Sequence, residues 1–159
     1  MPTFFAEGQG LSTAVSSGLF SLYFLVHGLT QPLTGSLSDR AGRGPTTALS
    51  MASGIVGYAV LVVGDALAVY AVGVCFVGLA MSWGAPIQSR FMDQFAAADR
   101  SAGFGLGRTV YMTTGASGNV IVGALADLYG WDASFSVLAV IMAVVLGALA
   151  GNRLLGLGL

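Results

Sequence analysis

Five continuously apolar, uncharged runs divide the chain, at 8–38, 44–64, 66–89, 109–126 and 133–152, and every charged side chain lies outside them. A helix needs about 20 apolar residues to cross the hydrocarbon core of a bilayer, and each run is close to or above that length. A charge left at mid-membrane costs about 2.5–3.5 kcal/mol on insertion scales, which confines charges to the ends. The pattern predicts helices at 11–37, 45–64, 66–91, 101–127 and 133–152. A membrane barrel strand takes about 10 residues of alternating polarity, so these long unbroken runs exclude a barrel. Pro45 suits the first turn of helix two, where its missing donor costs nothing. Asp65, after Gly64, and Asp132, after Trp131, suit the caps of helices three and five. Connections at 38–45 and 128–132 are short enough to force antiparallel neighbours, and only 91–101 has room for a small interfacial segment.

Composition agrees with that pattern. Of 159 residues, 55% are hydrophobic and 8% charged, with a mean hydropathy of +0.83. Soluble domains carry roughly 25% charged residues, so no ordinary water-exposed surface can be built here. The expectation is an all-α, polytopic transmembrane helical bundle of five helices, a single domain over 1–159 without a linker. The 24 glycines fit helices in a membrane, where small residues let backbones approach closely. Gly103, Gly107, Gly115, Asn119 and Gly123 recur at multiples of four along helix four and read as a packing face. A net charge of −1 without any basic run points away from nucleic acid. Cys75, the one cysteine, falls mid-span, so no disulfide or thiolate metal site forms within one chain. Residues 1–10 lack the positive region of a cleavable signal.

The six arginines add an orientation. Arg40 and Arg43 lie in the first connection, Arg90, Arg100 and Arg108 in the third, and Arg153 after the last run. The second and fourth connections, around Asp65 and around Asp127 to Asp132, hold no cation. Basic residues are retained on the cytoplasmic face during insertion. The chain is therefore expected as a multi-pass protein of the cell membrane, amino terminus outside and carboxyl terminus in the cytoplasm.

The most specific segment is Gly35-Ser-Leu37-Ser-Asp39-Arg40-Ala-Gly42-Arg43. Leu37 still belongs to the apolar layer, and Asp39 meets the headgroups, from where it can cap helix two or face the positive end of a neighbouring helix. Gly42 permits a tight reversal with positive φ, and the two arginines anchor the turn at an anionic inner surface. The segment resembles the G-x-L-x-D-R-x-G-R turn of the major facilitator superfamily of secondary transporters, with Gly44-Pro45 where a further cation is usual. Gly123-Ala-Leu125-Ala-Asp127-Leu-Tyr-Gly130-Trp131, followed by Phe135, resembles the turn between the last two helices of the same family. Pro2-Thr-Phe-Phe5 and Gly10-Leu-Ser12 resemble its loop before the eighth helix. The resemblance covers nearly the whole chain and equates its helices with eight to twelve of the carboxyl-terminal half. It implies that the Asp39 turn stabilises one access state, and that helices two and five lie outside the cavity. It also implies that one helix of this half and the whole other half are missing, so the chain is expected to be a fragment or split half. A plain cytoplasmic turn with topology-setting arginines is the other reading of the same residues.

Polar groups inside spans are the candidates for a transport path. Tyr23, His27 and Gln31 are spaced four apart on helix one and share one stripe. His27 is the one residue in a span of the type that changes charge near neutral pH, which suits substrate binding or proton carriage. A helix–helix hydrogen bond is the alternative role. Gln88 and Asn119 are similar cases on helices three and four. No catalytic constellation, phosphate-binding loop, metal spacing or cofactor motif occurs, so an enzyme is not expected. The function expected is movement of a small-molecule substrate by alternating access, together with the lipid bilayer and a missing transporter half or further copies of the chain. The rival is a small non-transporting membrane protein that associates with a membrane partner.

Overall fold

The computed structural model describes residues 1–84, 91, 95–96 and 99–156. A π-helical turn, Phe4–Gly8, leads into α1 (Thr13–Ala41), followed by α2 (Arg43–Val63) and α3 (Leu67–Ala80). A 3-10 turn, Met81–Trp83, extends α3, and α4 (Arg100–Tyr129) and α5 (Trp131–Leu155) complete the bundle. The chain is an all-α helical bundle, with no strand among the described residues.

Single glycines make the two tightest reversals. Gly42 joins α1 to α2 at φ 93, and Gly130 joins α4 to α5 at φ 85. A side chain is strained in that backbone region, whereas glycine enters it freely. Each amide closes the helix before it, Gly42 N–H on Ser38 and Gly130 N–H on Ala126, at 3.0 and 2.9 Å. Ser12 starts α1 by accepting the Val15 amide at 3.4 Å. Pro45 sits in the first turn of α2. The expected caps do not form. Ala66, not Asp65, is the N-cap of α3, and Gly130 is that of α5. Asp132 lies inside the first turn of α5, where its charge meets the positive end of the helix dipole.

The helices differ in how well they suit a bilayer. α1, α2 and α5 are long and apolar enough to cross one, by length and composition. Within the described residues, α3 with its 3-10 turn is a shorter apolar helix, Leu67–Trp83, and the helix expected over 66–91 includes 85–90, which lie outside them. α4 has 30 residues, but Thr113, Thr114, Ser117 and Asn119 dilute its apolar stretch. Arg108 belongs to α4 rather than to a connection. It lies eight residues past Arg100 and sits 6.0 Å from the Phe104 ring.

Packing centres on α2, which buries eight residues against α1, α3 and α5. Glycines set the closest approaches. A Cβ on Gly57 would lie 2.8 Å from the Val77 backbone nitrogen, and one on Gly73 would lie 2.9 Å from the Leu61 side chain. Gly54 receives Met142 of α5, and Gly78 receives the Tyr23 carbonyl of α1 at 2.9 Å. The buried hydroxyls of α2 are satisfied locally, Thr46 on Gly42 O and Thr47 on Arg43 O, both at 2.9 Å. Ser53 instead bonds across to Phe76 O of α3 at 2.7 Å. Helix two is therefore not peripheral within this chain. Its glycines and short hydroxyl side chains let three neighbours close around it.

Candidate functional site

Tyr23, His27 and Gln31 form one connected strip along α1. The Tyr23 and His27 rings lie nearly parallel, 16° apart with centroids 6.3 Å apart. Gln31 Nε2 lies 3.0 Å from His27 Nε2. With the amide donating, that ring nitrogen accepts, and the imidazole proton sits on Nδ1. His27 Nδ1 is buried and has no hydrogen-bond partner among the described residues. An unpaired donor of this kind costs about 1–3 kcal/mol, so the site holds an unmet demand for an acceptor. The geometry is thus an imidazole oriented by an amide, with one N–H left over.

The strip is positioned by α3. Gly78 lets α3 come against Tyr23 and Val26, and Thr30 Oγ1 lies 2.7 Å from Ser82 Oγ of the 3-10 turn. Ser82 is fully buried, so this hydroxyl pair pins the turn one helical step beyond His27. Trp83 follows and meets Tyr111 of α4, centroids 5.7 Å apart and rings at 78°. Trp83, Ser82, Thr30 and Tyr111 are site residues that sequence reasoning missed. The one signal available was the four-residue step from Tyr111 to Gly115 to Asn119 on α4.

Other expected site residues are scattered. Asn119 is exposed on α4, and Gln88 lies outside the described residues. Gly103 and Gly107 meet the Phe95 and Phe91 rings, with a Cβ at 2.7 and 2.6 Å respectively. A Cβ on Gly115 or Gly123 would meet nothing within 4 Å among the described residues, so neither packs on a described neighbour. The close interhelical glycines are Gly54, Gly57, Gly73 and Gly78 instead. No group of three metal-ligating side chains occurs among the described residues.

The motif turn lies at the far end of α1. Gly35, Leu37, Asp39 and Arg40 are all still helical, with Asp39 and Arg40 exposed, and Gly42 makes the reversal. Asp39 does not cap α2, whose amino end has no side-chain cap. Thr46 occupies the Gly42 carbonyl, and Arg43 opens α2 half-buried. The exposed carboxylate thus stands at a helix reversal, open to a partner from elsewhere.

The family model of the Major Facilitator Superfamily matches residues 1–153. The chain belongs to the major facilitator superfamily. No curated protein and no solved structure matches it. As a member of this transporter family it is a multi-pass membrane protein, and its apolar helices are transmembrane segments. The Tyr23–His27–Gln31 strip and the exposed Asp39 turn have separate places, the first along α1 and the second at its end.

Proposed function

We propose that this chain supplies helices eight to twelve of the carboxyl-terminal half of a secondary transporter, which moves a small solute by alternating access. The observation that carries the reading is the Tyr23–His27–Gln31 strip, with its leftover imidazole N–H. A donor without an acceptor, on a membrane helix of a transporter family, is suited to a polar group of the solute or to a proton. Gln31 and Asn119 are exposed on α1 and α4, faces that this chain leaves open to further helices. Those helices come from the rest of a longer protein, a separate half or a second copy, and the solute sits between the two sides. The Gly35–Arg43 turn stabilises one access state through Asp39, and the chemistry involves no enzymatic step.

The distribution of arginines supports placement in the cell membrane, with the Arg40–Arg43 end in the cytoplasm and Met1 outside. His27→Ala in the complete assembly tests the reading. Coupled uptake should fall at least tenfold with insertion unchanged. Uptake that keeps its rate and its pH dependence would reject the role of His27, whereas no uptake by the complete wild-type assembly would favour the non-transporting alternative.

A further inference from the structure

The first twelve residues do more than lead into α1. Phe4 and Phe5 sit side by side in the π-helical turn, and both are fully buried. Phe4 meets two other helices edge-on: Tyr70 of α3 at 6.1 Å, and Trp131 and Phe135 of α5 at 5.8 and 4.7 Å between ring centroids. Phe5 adds a second contact to Tyr70 at 5.6 Å, and Tyr58 of α2 reaches Phe135 at 5.5 Å. Edge-to-face rings at these separations attract through complementary quadrupoles, beyond the apolar area they bury.

Polar bonds close the same segment onto the bundle. The Tyr70 hydroxyl donates to Gln9 Oε1 at 2.6 Å. The Leu11 amide donates to Phe5 O at 2.9 Å, tying the turn to the start of α1. Gly8 seats against the Trp131 indole so closely that a Cβ would lie 2.8 Å from Cδ1. At the other end of the helices, by contrast, the positive-φ glycine Gly42 makes the reversal between α1 and α2, and Asp39 and Arg40 are exposed.

We infer that residues 1–12 form a permanent aromatic clamp across the starts of α1, α3 and α5, making those ends one rigid body. Movement within this chain then belongs to the Arg40–Arg43 end, or to α4, which contributes no ring to the cluster. The clamp does not depend on the transport reading, because it concerns which ends of the helices can separate.

Hydrogen exchange on the full chain in lipid nanodiscs tests it. In Phe4→Ala/Phe5→Ala, amides at 70–73 and 134–137 should exchange at least tenfold faster, while those at 42–47 stay as they were. Gln9→Leu removes the Tyr70 acceptor and keeps every ring, so it serves where the double variant fails to fold. It should speed exchange at 70–73 about threefold. Acceleration confined to residues 1–12, equal acceleration at 42–47, or no change in Gln9→Leu would each overturn the clamp.

Discussion

α2 and α4 are both glycine-bearing helices, yet their surroundings are opposite. α2 buries eight of its 21 residues, whereas α4 buries Gly103 alone among 30. On α2 the missing side chains of Gly54 and Gly57 are occupied by Met142 and by the α3 backbone. On α4, Gly115, Gly118 and Gly123 face open space. Glycine therefore has two meanings in one bundle. In α2 it records a contact already made, and in α4 Gly103 and Gly107 do the same while Gly115, Gly118 and Gly123 mark a face still open. The difference places most of the buried packing of the described residues on α2 and leaves one face of α4 open.

The largest effect should come from filling an occupied glycine. Gly57→Leu drives a side chain into the Val77 backbone and should cost about 3 kcal/mol, read as loss of thermal stability in detergent. On α4, Asn119→Leu should leave that stability unchanged but lower uptake by the complete assembly about tenfold, equivalent to about 1.4 kcal/mol. Unequal outcomes in the reverse sense would break the contrast between the two helices. Ser53→Ala removes the bond to Phe76 O and should cost about 0.6–1 kcal/mol, in the range of membrane interhelical hydrogen bonds. Smallest of all, Gly115→Ala should stay within about 0.5 kcal/mol of the parent, because its Cβ enters open space and alanine favours helix. A loss above about 2 kcal/mol there would mean that the face is packed after all.

Much of the fold was legible because charge and hydropathy act over whole helices. The charges flanking the apolar runs marked the reversals near Gly42 and Gly130, although Arg108 falls inside α4, and Gly42 could be read as a positive-φ reversal from its place between two apolar runs. Packing was less legible. A four-residue glycine spacing looks the same whether or not a neighbour faces it, so the stripe on α4 outranked the denser contacts of Gly57 and Gly73. Caps failed for a local reason: Gly130 makes the reversal before Asp132, which leaves the aspartate inside the helix. The helical spacing of Tyr23, His27 and Gln31 was visible, but Thr30–Ser82 and Trp83–Tyr111 are contacts between distant segments. No periodicity within one helix reveals such a pair. Phe4 and Phe5 were readable as a loop and not as a buried cluster, because their partners Tyr70 and Phe135 come from two other helices.

The central claim is that the open face of α4 borders an aqueous path, and not lipid alone. Labelling of single cysteines with a water-soluble maleimide, in a Cys75→Ala background within the complete assembly, addresses it directly. Asn119→Cys should react at least tenfold faster than Val144→Cys, a position 67% exposed on the apolar side of α5. Equal, negligible reactivity at both positions, unchanged when the assembly is driven between its two access states, would contradict the account.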